Sequence, residues 1–118
     1  MTVNRLVALD MPASFDFANH VRNAWESGDA VFPVDQRLPQ SAKESLIEQF
    51  KPSVVIDASG NSVDLPNPEP TAHYDALVIA TSGSTGAPKG VVHTHDSIRA
   101  LLNMSQSRLQ TDSSTHWL

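Results

Sequence analysis

Short, unbroken apolar runs, alternating with stretches of helical periodicity, constrain this chain most. Leu6-Val-Ala-Leu9 is apolar throughout and is closed by Asp10. Pro12 to Ser27 follows, with Phe17, Val21, Ala24 and Trp25 at helical spacing and Gly28 where a helix stop belongs. Ala30-Val-Phe-Pro-Val34 is the next run. Its Pro33 cannot donate to a ladder and points to a sheet edge or a strand end. Ser41, with Glu44 three residues later, has the form of a capping box. It opens a helix carrying Leu46, Ile47 and Phe50, which Pro52 limits. Ser53-Val-Val-Ile-Asp57 is a third run. Runs without polar alternation suit strands covered on both faces. The order β-α-β-α-β therefore predicts an α/β fold with parallel pairing.

The second half has a different grain. Residues 59–72, rich in Gly, Asn, Pro and Asp, are expected to form a surface loop, with Pro66-Asn-Pro-Glu-Pro70 extended. Ala76 to Thr81 and Gly90 to His93 read as two short strands in a hairpin-like pair. Thr94 is placed to cap a helix reaching about Gln110, with Asp96 near the positive end of its dipole. Ile98, Leu101, Leu102 and Leu109 form its apolar face, and the Leu101/Leu102 pair and Trp25 read as core. Thr111 to Thr115 is turn-like, and His116-Trp-Leu118 resembles the start of a strand.

Between the two short strands lies Thr81-Ser82-Gly83-Ser84-Thr85-Gly86-Ala87-Pro88-Lys89-Gly90. Glycines let backbone N–H groups crowd around an anion, because no Cβ blocks the approach. The hydroxyls of Thr81, Ser82, Ser84 and Thr85 can donate to phosphate oxygens, and Lys89 adds a mobile positive charge. The stretch reads as a polyphosphate cradle. It is not a Walker A loop, because Lys89 is followed by Gly90 and not by Ser or Thr. Nor does Gly-x-Gly-x-x-Gly occur. A Ser/Gly linker would not sit between two apolar strands. The fold class is thus α/β: an incomplete layered fold with a βαβ-type start and a phosphate loop between two short strands.

Thr81 to Val91 resembles the phosphate-binding signature of the AMP-forming adenylate ligases: acyl-CoA synthetases, adenylation domains of peptide synthetases, and luciferase. The resemblance covers the whole chain, with high specificity over residues 80–95 and low specificity before them. It implies an ATP-dependent carboxylate–CoA ligase that forms an acyl-adenylate and then a thioester. The substrates would be ATP, a small carboxylic acid and coenzyme A, with Mg²⁺ on the phosphates. Thr81, Ser82, Gly83, Ser84, Thr85, Gly86 and Lys89 would bind the β- and γ-phosphates, with Lys89 stabilising the leaving group. None would be an acid–base catalyst. The alternatives are an adenylation domain that loads a carrier protein and a non-catalytic nucleotide-binding remnant.

Family members are several times longer. By resemblance, residues 1–118 are expected to be the N-terminal part of an AMP-binding domain, truncated at its C-terminal end and partnered by the missing part of the same enzyme. The adenine site, acid pocket, ribose-binding aspartate and catalytic lysine would lie beyond Leu118. Gly28-Asp-Ala-Val-Phe-Pro-Val-Asp-Gln-Arg-Leu-Pro39 is similar to the compact actinobacterial branch that includes o-succinylbenzoate–CoA ligase, which implies a place in menaquinone biosynthesis.

Charge and composition narrow the partners. The net charge is −5, which argues against nucleic acid or an anionic membrane. Residues 1–75 carry five basic and eleven acidic groups, whereas residues 76–118 carry three and two, so the loop lies in the only part that is not acidic. With no cysteine, disulfides and thiolate metal sites are excluded. No apolar stretch is long enough to span a bilayer and Met1 to Leu6 lacks a signal-peptide core, so a cytoplasmic location is expected. His93-x-His95 could share a strand face and ligate a metal, but no third ligand is evident nearby, so packing or helix-entry roles are preferred. Asp57 and Asp75 are expected to be solvated strand termini.

Overall fold

The computed structural model describes residues 4–69, 71–72, 74–81 and 88–109, the last five as backbone only. The elements are β1 (Leu6–Asp10), α1 (Phe15–Glu26), β2 (Ala30–Pro33), α2 (Gln40–Phe50), β3 (Val54–Asp57), β4 (Ser62–Asp64), β5 (Asp75–Thr81), β6 (Lys89–Thr94) and α3 (His95–Leu109). The strands form one sheet in the order β4-β3-β1-β2-β5-β6. The inner four run parallel, and β4 and β6 join antiparallel at the two edges. The expected α/β fold with parallel pairing is present.

The apolar runs lack alternation because both faces of the sheet are covered. On one face Leu6, Ala8, Phe32, Val34 and Val78 pack with Leu46 and Phe50 of α2. On the other, Val7, Leu9, Val31 and Val54 pack with Val21, Ala24 and Trp25 of α1. Phe32, fully buried, meets the Phe50 ring edge-on with centroids 5.1 Å apart. Consecutive residues of β1 and β2 thus enter opposite cores.

Local signals decide the helix ends. Ser14 Oγ accepts from Phe17 N–H at 3.1 Å, so α1 starts later than Pro12. Gly28, with φ +83°, takes the left-handed position just after the helix, as expected. At α3, Thr94 Oγ1 accepts from Ser97 N–H while Ser97 Oγ accepts from Thr94 N–H, a reciprocal cap with serine in the usual Glu position.

Three expectations need correction. Ser41 and Glu44 do not form a capping box: the N-cap is Pro39, so Ser41 already lies inside the helix, where its carbonyl accepts from Ser45 Oγ. By contrast, Pro33 stands at a strand end, one of the two places expected for it, with β2 between β1 and β5. Residues 59–72 are not wholly loop. Gly60 at φ +85° and Asp57 Oδ1, which accepts from the Ser59 and Asn61 N–H groups, build a tight turn that returns β4 onto β3. Only Val63 of β4 is apolar, which hid the strand. Finally, Leu101 and Leu102 are 56% and 60% exposed and are not core. The α3 helix packs against β6 and, through His95 at its start, against Trp25, while Leu101 and Leu102 further along stay uncovered among the described residues. The expected elements in Thr111 to Leu118 lie outside the described residues.

A buried charge ties the N-terminus to the turn after α1. Asp29, 3% exposed, accepts from Arg5 N–H at 2.9 Å and from Arg5 Nε and Nη2 at 3.3 Å. Asp29→Ala is expected to cost about 1–2 kcal/mol, at the low end for a charged hydrogen-bond set because the Arg5 side chain is half exposed. Urea unfolding would measure it, and an unchanged midpoint would contradict this role.

Candidate phosphate-binding site

The glycine-rich stretch is mounted on the ends of two strands. Residues 82–87 lie outside the described residues, and with them Ser82, Gly83, Ser84, Thr85 and Gly86 of the expected phosphate set. Their flanks are described. Thr81 and Lys89 face each other as the outermost pair of β5 and β6, and Thr81 Oγ1 donates to the Lys89 carbonyl at 3.3 Å. The loop thus leaves and re-enters the sheet at one point. Lys89 is exposed there, as a phosphate-binding ammonium requires.

This point is the C-terminal end of a parallel strand. In open α/β sheets ligands bind at that edge, where successive crossovers leave toward opposite faces. Here α1 leaves β1 toward one face and α2 leaves β2 toward the other. Beyond these strands, Asp10 Oδ1 accepts from Gln36 Nε2 at 2.8 Å and from Lys43 Nζ at 3.1 Å. Lys43 and Asp10 are both largely buried at their side chains, so this pair fastens the start of α2 to the end of β1.

Between α2 and the ends of β2 and β5 lies a cleft of about 800 Å³. Its wall is apolar at Phe32, Val34, Leu46 and Ile79, and it reaches Thr81 and Pro88 at the loop. Asp35 and Arg37 stand at its rim in a paired contact, with Arg37 Nη2 3.0 Å from Asp35 Oδ2 and Arg37 Nε 3.1 Å from Oδ1. The hydrogen bonds from Arg37 hold the Asp35 carboxyl down at about 2. A depressed carboxyl pKa stabilises the pair fully above the ordinary 3.8, and this is lost as the pH falls through about 2. NMR titration of Asp35 is expected to show a midpoint near 2 that Arg37→Ala returns toward 3.8; an unchanged midpoint would contradict the assignment.

Other candidate residues have structural roles. His93 and His95 fall on different elements, β6 and α3. The His95 ring stands edge-on to Trp25 at 5.0 Å, and Trp25 Nε1 donates to the Ala76 carbonyl at 2.8 Å, which accords with the packing role expected for both. Asp57 anchors the β3–β4 turn, and Asp75 Oδ2 accepts from Ala72 N–H. Neither is merely a solvated terminus. One residue escaped the sequence reading. Gln49 Nε2 donates to the Pro88 carbonyl at 2.6 Å, from 39 positions away. The available signal was a polar residue among Leu46 and Phe50, which share one side of α2.

The family described as "AMP-binding enzyme" matches residues 57–118, more than half of the chain and the part that contains this site. The chain belongs to the AMP-binding enzyme family. It is 31% identical over 109 residues to the dapdiamide synthesis protein DdaD of Enterobacter agglomerans, covering 85% of this chain and 19% of that protein. It is 31% identical over 110 residues to the mitochondrial malonate–CoA ligase ACSF3 of Bos taurus, covering 67% of this chain and 19% of the ligase. It is 28% identical to a dimodular nonribosomal peptide synthase of Bacillus subtilis, covering 87% of this chain and 6% of the synthase. The chain spans at most 19% of the length of these three relatives. The N-terminal subdomain of Klebsiella oxytoca NpsA, solved in complex with 3-hydroxyanthranilyl-AMSN, has the same fold with a TM-score of 0.60 at 19% identity, over 80% of this chain and 29% of that one. No described helix of this family member is long and apolar enough to cross a membrane.

Proposed function

We propose that residues 1–118 are the N-terminal part of an AMP-binding domain and supply the pyrophosphate-holding loop of an ATP-dependent, adenylate-forming ligase in the cytoplasm. The observation that carries this is the signature Thr81 to Val91 mounted on the Thr81–Lys89 pair at the C-terminal edge of a parallel sheet. In the reaction, a carboxylate oxygen forms a bond to the α-phosphorus of ATP while the α–β bridging bond breaks. The leaving pyrophosphate gains negative charge, which the Lys89 ammonium and the loop hydroxyls would stabilise. Thr81, at the loop's entry, stands on a strand end whose position the sheet fixes, and its hydroxyl would turn from the Lys89 carbonyl to donate to phosphate. The donor set fits Mg²⁺ held chiefly through the phosphates, which is how this ion usually binds, and bound there it neutralises phosphate charge. In a second step, a thiol attacks the acyl carbon and AMP leaves.

The proposed thiol is that of coenzyme A, making the intact protein an acyl-CoA synthetase; similarity to malonate–CoA ligase supports this. A second reading, in which the acceptor is a carrier protein, is favoured by the similarity to nonribosomal peptide synthases. The test uses a full-length ligase carrying these residues. Labelled pyrophosphate is exchanged into ATP across a panel of acids that includes o-succinylbenzoate, because of the Gly28 to Pro39 resemblance. Acyl transfer is then compared between coenzyme A and a phosphopantetheinylated carrier. Exchange with no acid at all would sink the proposal, and transfer to the carrier alone would replace the first acceptor with the second.

A further inference from the structure

We infer that Gln49 is a positioning residue for the phosphate loop: its side chain, held by α2, fixes the loop's exit through the Pro88 carbonyl immediately before Lys89. The inference rests on the phosphate-binding reading for its purpose, but its geometry stands apart from it. Gln49 Nε2 lies 2.6 Å from Pro88 O, a short contact for a neutral amide donor. Proline has no N–H, so its carbonyl is the only backbone group at that position that can be held. The residue after it opens β6 and carries the ammonium.

The helix that carries Gln49 is itself fastened at both ends. Near its start, Lys43 is paired with Asp10 at 3.1 Å. At its last residue, Phe50 packs edge-on against the fully buried Phe32. Phe50 also lies close to Gly90, the second residue of β6. A Cβ on Gly90 would lie 3.4 Å from Phe50 Cε1 and 3.3 Å from Val78 Cγ1. The absence of a side chain at Gly90 lets β6 lie against α2, which brings Pro88 within reach of the neighbouring Gln49. Two successive helix residues therefore hold two of three successive hairpin residues: Gln49 holds Pro88 by a hydrogen bond, and Phe50 supports Gly90 by contact. Lys89 lies between them. Gln49 is exposed and outside both core clusters, so its exchange for alanine removes this bond without opening the core.

Two readouts on a full-length ligase carrying these residues test the inference, with circular dichroism as the control for folding. The first is ligand-free amide hydrogen exchange of residues 89–91. Gln49→Ala is expected to speed it about fivefold, the equivalent of one ordinary hydrogen bond. Gln49→Glu, which keeps the shape but lacks a donor when ionised, is expected to match Gln49→Ala. Gln49→Lys, which keeps an N–H donor, is expected to return exchange to about the wild-type rate. The second readout is binding of inorganic pyrophosphate with Mg²⁺, where Gln49→Ala is expected to weaken affinity about fivefold. Wild-type exchange in both Gln49→Ala and Gln49→Glu would overturn the inference, as would wild-type pyrophosphate affinity in Gln49→Ala. Faster exchange in those variants, with no pyrophosphate binding by the wild-type ligase, would support the clamp and overturn the phosphate-binding reading instead.

Discussion

Lys89→Ala, in a full-length ligase carrying these residues, is expected to lower ATP–pyrophosphate exchange by about 10²–10³-fold, the usual scale for removing one group aimed at transition-state charge. The direction follows from where the charge is needed. Negative charge builds on the departing pyrophosphate, and Lys89 sits at the exit of the phosphate loop on the exposed end of β6. On the proposed reading the carboxylic acid is held elsewhere in the intact ligase, so its KM is expected to change little while kcat falls. Lys89→Arg should recover only part of the rate. The guanidinium keeps the charge but is planar and broad, and cannot occupy the place of a compact ammonium. Equal loss in KM and kcat would mean that the lysine acts on binding in general, and wild-type exchange would remove it from the mechanism.

The 118-residue chain by itself is expected to show no ATP–pyrophosphate exchange with any acid. It carries the proposed leaving-group site but spans at most 19% of the length of the three compared relatives. Holding phosphates alone leaves the carboxylate and the α-phosphorus free to drift apart. Near-attack positioning of two reactants is worth about 7–11 kcal/mol, so without it the rate falls below detection. The isolated chain should also self-associate. β6 has no outer neighbour among the described residues, and its Val91 and Val92 are 41% and 52% exposed. Sedimentation of the purified chain and exchange of labelled pyrophosphate, with Lys89→Ala as control, check both statements. Exchange clearly above that control would show that these residues suffice for adenylation.

The layered body was legible because burial leaves a direct mark on sequence. Val7, Ala8 and Leu9 are apolar in succession because α1 and α2 cover opposite faces of β1, and no half-exposed strand could tolerate that run. Gly28 and Thr94 marked their helix ends through backbone requirements that few residues meet. What failed was decided by geometry outside the local window. Ser41 and Glu44 had the right spacing for a box, but the chain entered the helix two residues sooner, at Pro39. The Leu101/Leu102 pair looked like core because apolar periodicity records a face, not the presence of something to cover it. The loop's proposed chemistry rests on residue types alone, whereas its support has no such local mark. Gln49 contacts Pro88 beside the close approach of Gly90 to Phe50 and Val78, a three-element coincidence without a sequence signature.

The central claim is that residues 81–90 hold the β- and γ-phosphates of ATP. Amide hydrogen exchange of a full-length ligase carrying this segment, with and without ATP–Mg²⁺, tests it most directly. Backbone N–H groups that donate to phosphate oxygens exchange slowly, so protection should be concentrated in residues 81–90, and a nonhydrolysable ATP analogue should reproduce it. AMP, which lacks the β- and γ-phosphates, should protect these amides far less. Protection by ATP elsewhere in the enzyme, with residues 81–90 exchanging as they do without nucleotide, would contradict the account.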